Sequence, residues 1–132
     1  MKLITRDTDY AIRALCCIAS QEDKLISAAE LIKRFKMPKP FLRKILQTLN
    51  RKNLLHSYKG KGGGFKLAKP PDKIYLLDLI SIFQSPLRLN ECTFKKKICP
   101  NVTGCALKGK LDNIEKYVVS QLKAVTIASL LK

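Results

Sequence analysis

The stretch SAAELIKRFKMPKPFLRKILQTL, residues 27–49, constrains the fold more than any other part of this 132-residue chain. Ser27 followed by Glu30 is a capping-box pattern, which predicts a helix from about residue 28. Pro38 predicts the end of that helix, because proline disfavours helical backbone in the residue before it. Pro40 suits the first turn of a second helix. Two short helices joined by a tight turn are typical of a helix-turn-helix.

The second of these helices has two distinct sides. Apolar residues recur at three- and four-residue spacing and predict its buried face: Phe41, Leu42, Ile45, Leu46 and Leu49. The opposite side is polar and basic, with Lys39, Arg43, Lys44 and Gln47. A basic exposed face on the second helix of such a pair favours contact with the major groove of DNA.

The next segment, LLHSYKGKGGGFKLA, predicts a β-hairpin with strands at residues 54–58 and 65–68 and a glycine-rich turn. A hairpin directly after a helix-turn-helix is a wing, whose Lys59 and Lys61 can reach phosphate or a minor groove. A nucleotide-binding phosphate loop is excluded, because a strand follows the glycines where that loop requires a helix. His56, the only histidine, is expected at the surface rather than as a metal ligand.

Helices are also predicted for residues 5–20, residues 74–83, and from about residue 106 to the end. The last carries a long apolar stripe: Leu111, Ile114, Val118, Leu122 and Val125. One winged unit offers little surface to cover this stripe, so a homodimer is expected. The predicted architecture is mainly α with a small β-hairpin: a winged helix-turn-helix (1–85), a cysteine-containing sensor loop (86–105) and a long C-terminal dimerisation helix (106–132).

Charge points to nucleic acid. The chain has 26 Lys and Arg against 10 Asp and Glu, a net charge of +16, and residues 31–71 contain twelve basic residues and no acidic one. Such a one-sign field is typical of nucleic-acid-binding proteins, with a generic solubilising surface as the alternative. A cytoplasmic, non-membrane protein is expected, because apolar runs are too short for a membrane span. An enzyme is not expected, because the sequence shows neither a nucleophile–His–acid set nor a pair of carboxylates suited to catalysis.

Three of the five cysteines, Cys92, Cys99 and Cys105, lie in a segment with three consecutive lysines, residues 95–97. In a reducing cytosol they favour metal binding or redox chemistry over structural disulfides. Their C-x6-C-x5-C spacing is loose for zinc, whereas thiolates are the normal ligands of iron–sulfur clusters. Cys16 and Cys17 fall in an apolar helical run, which predicts small buried side chains.

The run FLRKILQTLNRKNLLHSYKGKGGGFKLAKPPDKIYLLDLI, the opening MKLITRDTDYAIRAL and the three-cysteine segment together resemble the Rrf2 family of bacterial transcription regulators, over essentially the whole chain. The resemblance implies a homodimer that binds a palindromic operator in double-stranded DNA. The protein is expected to act as a repressor, with an activator as the alternative. The residues expected to contact DNA are on the second helix of the pair and at the wing tip: Lys39, Pro40, Arg43, Lys44, Gln47, Lys59, Lys61 and Gly62.

The same resemblance implies that Cys92, Cys99 and Cys105 hold an iron–sulfur cluster, 2Fe-2S or 4Fe-4S, that controls DNA binding. Some relatives add a histidine after the third cysteine, but this chain reads ALKGK there. Others use an aspartate near the start of the first helix, which makes Asp9 of the partner subunit the candidate fourth ligand. An i,i+4 pair with Arg13 is its alternative role. A cluster-free thiol/disulfide redox switch, a zinc site and a non-specific nucleic-acid-binding protein are the competing interpretations.

Overall fold

Six helices and one β-hairpin make up residues 3–21, 24–84 and 106–131, which the computed structural model describes. In chain order they are α1 (Arg6–Ala19), α2 (Ala28–Phe35), α3 (Lys39–Arg51), β1 (Leu55–Tyr58), β2 (Gly64–Leu67), α4 (Leu76–Phe83), α5 (Ala106–Lys123) and α6 (Ile127–Leu130), with a 3₁₀ turn at Pro71–Lys73. The predicted class, mainly α with a small hairpin, is confirmed. Cys92, Cys99 and Cys105 lie outside the described residues.

The helix-turn-helix forms where local sequence predicts it. The Ser27 side chain accepts a hydrogen bond from the Glu30 backbone N–H at 3.2 Å and caps α2. Lys36 ends α2 in the left-handed conformation, with a φ of 52°, two residues before Pro38. Pro38 is the N-cap of α3 and Pro40 lies in its first turn, where a missing N–H costs nothing.

The wing is a two-stranded antiparallel sheet in which Leu55 pairs with Leu67 and Tyr58 with Gly64. Gly62 adopts a φ of 79° in the turn, a conformation that side chains other than glycine rarely adopt. Strand β2 of the wing is fixed to the body by Ile26, which exchanges backbone hydrogen bonds with Phe65 at 2.8 and 3.1 Å. The hairpin is therefore held in place beside the two helices.

One core unites the winged unit with the C-terminus. Fully buried side chains come from α1, α2, α3, the wing and α4, and also from α6: Leu15, Leu31, Leu42, Leu55, Leu79 and Ile127 are examples. Each such side chain contributes about 1.5–3 kcal/mol relative to an exposed one. The apolar face predicted for α3 is buried except at Phe41, which is 40% exposed.

The prediction of a single helix from about residue 106 to the end is wrong. The structure ends α5 at Lys123, and Thr126 then caps the separate helix α6 through a capping box with Ser129. The chain between them pairs with the start of α4: the Leu76 N–H donates to the Val125 carbonyl at 3.0 Å, and the Ile127 N–H donates to the Ile74 carbonyl at 2.9 Å. This pairing and the burial of Ile127 outweigh continuation of the helix, and Val125 leaves the predicted stripe.

Helix α5 has an unusual surface for an 18-residue helix. None of its residues from Ala106 to Lys123 is buried, and its contact with the rest of the described structure is mainly through α4. Leu107, Ile114 and Tyr117 are 68%, 52% and 66% exposed. An apolar row of this kind at helical spacing is a candidate surface for another protein chain.

Candidate nucleic-acid interface

The exposed side of α3 presents the predicted DNA-contacting residues together. Lys39, Pro40, Arg43, Lys44 and Gln47 are all exposed. The opposite side of the helix is anchored in the core by Leu42, Leu46 and Leu49, with at most 1% of each exposed. Packing therefore fixes the direction in which the basic side chains point, which is what a groove-reading helix requires.

The wing tip adds further cations. Lys59, Lys61 and Gly62 are exposed in the turn between β1 and β2. Along the strands, His56 and Lys66 are directly paired and both exposed, so they share the outer face of the hairpin. The predicted DNA-contacting residues of the wing therefore lie together in its turn, with the charged groups of both lysines in solvent.

The basic residues of α3 and the wing are not neutralised by carboxylates within the described part of the chain. The ion pairs found there are Arg6–Asp7, Arg13–Asp9 and Lys108–Asp112, all outside α3 and the wing. A groove of about 500 Å³ runs beside α3, lined among others by Asp7, Lys44, Gln47, Arg51 and Phe83. The groove lies where the start of α1 and the end of α4 meet the flank of α3.

The candidate fourth ligand, Asp9, lies in the first turn of α1. Its Oδ2 accepts a hydrogen bond from Arg13 Nε at 2.9 Å, the i,i+4 pair predicted as its alternative role. Both side chains are about half exposed. No group of three or more His, Cys, Asp or Glu side chains that could hold a metal occurs among residues 3–21, 24–84 and 106–131. The candidate thiolate ligands Cys92, Cys99 and Cys105 fall outside those ranges.

Both cysteines of α1 were expected to be buried, and the structure confirms this for Cys17, whereas Cys16 is only partly buried. Cys17 is buried and its Sγ accepts a hydrogen bond from Arg34 Nη1 at 3.2 Å, which links α1 to α2. Burial, followed by the proximity of Cys17, raises the pKa of the half-buried Cys16 thiol. A raised pKa disfavours the thiolate that would bind metal or react.

Sequence reasoning missed a polar cluster that joins the start of α1 to the end of α4. The Gln84 side-chain oxygen accepts hydrogen bonds from the Thr5 N–H at 3.0 Å and from Thr8 Oγ1 at 2.8 Å, while its Nε2 donates to the Leu3 carbonyl at 3.1 Å. Thr8 is fully buried. Since Gln84 lies 76 and more residues away in sequence, no local pattern indicated this cluster.

A second missed contact joins α1 to α3. The guanidinium carbon of Arg6 lies 4.2 Å from the centroid of the Phe41 ring, a cation–π geometry. Its spacing in the sequence predicts Phe41 on the buried face of α3. The only signal available in the sequence was that Phe41 lies at the margin of the apolar stripe.

Within its described residues the chain has no helix long and apolar enough to cross a membrane. The sequence profile of the Rrf2 family, described as an iron-dependent transcriptional regulator, matches residues 4–132. A protein of Aquifex aeolicus assigned as an HTH-type transcriptional regulator is 32% identical over 124 residues, which cover 92% of this chain and 86% of the relative. Protein aau3 of Rhizobium meliloti is also 32% identical, over 98% of this chain and 84% of its own length.

Solved structures share the fold over nearly the same length. CymR, the global cysteine regulator of B. subtilis, has a TM-score of 0.81 at 20% identity, with 98% of this chain and 96% of that chain covered. T. potens IscR has a TM-score of 0.76 at 20% identity, with 98% and 85% covered. The profile match over residues 4–132 and the 32% identical relatives decide the classification: the chain belongs to the Rrf2 family of DNA-binding transcriptional regulators.

Proposed function

We propose that the protein is a sequence-specific, homodimeric regulator whose binding to a palindromic operator is controlled through Cys92, Cys99 and Cys105. The DNA-reading part of the proposal rests on one observation: the exposed basic side of α3 is fixed by a buried opposite side, and α3 contacts β1 of the wing, whose turn carries exposed lysines. In this arrangement Arg43, Lys44 and Gln47 read base edges in the major groove, and Lys59 and Lys61 hold the flanking backbone or minor groove.

The dimer is built on α5. Its exposed Leu107, Ile114 and Tyr117 would be covered by the same helix of a second copy, because a two-fold axis places a surface patch against itself. A dimer also matches a palindromic operator, since two α3 helices related by two-fold symmetry meet two half-sites of the same sequence.

Control by an iron–sulfur cluster is the function proposed for the three cysteines. Their thiolates are the ligand type that such clusters require, and the family description is iron-dependent. When bound, a cluster supplies a redox-active iron centre with a coordination position beyond the three thiolates. Asp9 of the partner subunit is the proposed oxygen ligand for that position. The Asp9 side chain suits this role because it is half exposed and its pair with Arg13 is solvent-screened, so iron could replace Arg13 as its partner at little cost.

A thiol switch without a cluster is the second candidate. Staphylococcus aureus CymR, whose oxidised form has been solved, has a TM-score of 0.78 to this chain at 20% identity. In this alternative, an oxidant such as a peroxide would join two of the three cysteines in a disulfide. The disulfide would then change the affinity of the winged helix-turn-helix for DNA. Both candidates draw on the same set of three cysteines, so the presence or absence of bound iron and sulfide decides between them.

Anaerobic reconstitution with iron and sulfide tests the proposal. The wild-type protein should gain visible absorption together with bound iron and sulfide. Each of Cys92→Ala, Cys99→Ala and Cys105→Ala should abolish that absorption, whereas the control Cys16→Ala should retain it because Cys16 is packed in α1. Asp9→Ala should keep a cluster with an altered spectrum. A colourless wild-type protein whose operator affinity changes reversibly on oxidation would reject the cluster and establish the thiol switch.

A further inference from the structure

We propose that Arg6 is an additional phosphate-binding residue, which extends the DNA interface from the helix-turn-helix onto the first turn of α1, and that Phe41 is the platform that holds it. The proposal rests on the DNA-binding role proposed above and deepens it. Arg6 is outside the predicted set of DNA contacts, all of which lie on α3 and the wing.

The contact between the two side chains is open to solvent. The Arg6 Cζ atom lies 4.2 Å from the centroid of the Phe41 ring, and the Arg6 side chain is 57% exposed. Phe41 itself is 40% exposed, although it belongs to a helix whose neighbouring Leu42 is fully buried. Stacking engages one face of the planar guanidinium and leaves its N–H groups, which point outward in the plane, available for an oxyanion.

Arg6 has a weak internal partner. The acidic group nearest to it among the described residues is Asp7, whose Oδ1 is 3.8 Å from Arg6 Nε, beyond hydrogen-bond distance. Exposed pairs of this kind contribute little, because solvent screens them. A phosphate could therefore bind the guanidinium without first breaking a strong ion pair.

The position of the pair identifies the ligand as DNA phosphate. Phe41 follows Pro40 in the first turn of α3, the end of a recognition helix that enters the major groove. Side chains at the flank of that end face the backbone beside the groove rather than the base edges. The ring of Phe41 holds the Arg6 guanidinium at this flank, on the side of α3 that also carries the exposed Lys44 three residues further along the helix.

The first turn of α1 is also held rigidly. Gln84 accepts hydrogen bonds from the backbone of Thr5 and from the side chain of the buried Thr8, on both sides of Arg6 in the sequence. A phosphate contact made by a side chain on a fixed backbone, already stacked on a ring, loses less conformational freedom on binding. The alternative role of the pair is only to pack α1 against α3.

Salt dependence of DNA binding separates the two roles. The wild-type protein, Arg6→Ala, Phe41→Leu, the double variant and Lys73→Ala are titrated in one cofactor state with a mixed-sequence 30-base-pair duplex at several salt concentrations. Lys73→Ala is the matched control, because it removes one exposed positive charge from the 3₁₀ turn, whose main contact is with α6. Thermal unfolding verifies that every variant is folded.

Arg6→Ala should weaken binding about 3- to 10-fold near physiological salt and reduce the slope of log affinity against log salt by about 0.9, the value for one phosphate contact. Its effect should be the same on a sequence enriched from a random duplex pool, because phosphate carries no sequence information. Phe41→Leu should weaken binding by a smaller factor, and the double variant should equal Arg6→Ala. Lys73→Ala should leave the slope unchanged.

Three results would overturn the inference. An unchanged salt slope in Arg6→Ala would leave the pair a packing contact. An equal loss from Phe41→Leu with and without Arg6 would show that the ring acts on DNA by itself. A loss confined to the enriched sequence would make Arg6 a base-reading residue. Failure of the wild-type protein to bind any duplex would reject the DNA-binding role as well, so the two proposals fail in distinguishable ways.

Discussion

Arg43 and Lys61 are both exposed cations, but they occupy different parts of the proposed interface. Arg43 lies on α3, where a planar guanidinium can donate two hydrogen bonds to a guanine edge. Lys61 lies in the turn of the wing, where a point charge on a flexible stem suits a phosphate. The same charge should therefore have different effects on specificity at the two positions.

Arg43→Ala is expected to lower affinity for the preferred sequence by about 1–3 kcal/mol and to relax the preference at one base position, if Arg43 reads a guanine. Lys61→Ala is expected to weaken all sequences alike and to reduce the salt slope by about 1. Selection from a random duplex pool and salt titrations measure both effects. An Arg43→Ala protein with unchanged affinity and preference would disprove the assignment of α3 as the recognition helix.

The hydrogen bonds of Gln84 contribute to the free energy of unfolding, and substitutions can measure this contribution. Thr8→Val removes the hydroxyl that Gln84 accepts from, and Gln84→Leu removes the acceptor and leaves the buried Thr8 hydroxyl without that partner. Thr8→Val should lower the free energy of unfolding by about 0.5–1.5 kcal/mol, the net contribution of one hydrogen bond, because the Gln84 oxygen still accepts from the Thr5 N–H. Gln84→Leu should lower it by about 1–3 kcal/mol, because it also removes the acceptor of the Thr5 N–H. The double variant should be less destabilised than the sum, by about 1 kcal/mol, in denaturant titrations. Strict additivity would show that the hydrogen bond contributes nothing.

At the scale of elements, the wing depends on the close approach of two backbones. A methyl group on Gly64 would lie 2.7 Å from the carbonyl oxygen of Ile26, which accepts the Phe65 N–H. Only glycine allows this approach, so the hairpin is fixed to the chain before α2 by a residue without a side chain.

Gly64→Ala is therefore expected to destabilise the protein by about 1–3 kcal/mol, because the methyl group forces the Ile26–Phe65 pairing apart. Gly109→Ala is the matched control: Gly109 lies in α5 with nothing within 4 Å of an added methyl group. That change should stabilise α5 by up to about 1 kcal/mol, since alanine loses less conformational freedom in a helix. Thermal or denaturant unfolding measures both. Equal stability of the two variants would contradict the role given to Gly64.

The elements that sequence predicted well are those specified by local chemistry. Ser27 caps α2, Pro38 and Pro40 separate α2 from α3, and a glycine run permits the turn of the wing, all within a few residues. The end of α5 could not be predicted this way, because it depends on pairing between Val125 and Leu76, which are far apart in sequence. The same reason hid the Arg6–Phe41 contact, which becomes visible only when α1 packs on α3.

The core of the molecule includes the winged unit and α6, whereas α5 lies largely outside that core. Helix α6 packs on α1 and returns the C-terminus to the core through Ile127. Helix α5 precedes it and keeps Ile114 more than half exposed. Because α6 anchors the far end of α5 to the body, a dimer formed through α5 would hold two DNA-reading heads at a fixed separation.

Ile114→Glu tests this assembly. The change places a carboxylate in the proposed seam, where it loses solvation on dimer formation, but on a side chain that is exposed in the single chain, so the fold should persist. The variant should be monomeric by light scattering. It should bind a two-half-site operator much more weakly than the wild-type protein, because a monomer contacts one half-site.

Lys116→Glu is the control for this experiment. Lys116 is two residues from Ile114, about 200° around the helix at 3.6 residues per turn, and is exposed. It introduces the same carboxylate on the opposite side of α5 and should leave the dimer intact. If Ile114→Glu remained dimeric, the apolar row of α5 would not be the seam. If both variants were monomeric, the added negative charge rather than its position would be the cause, and the two-headed arrangement derived from α5 would have to be abandoned.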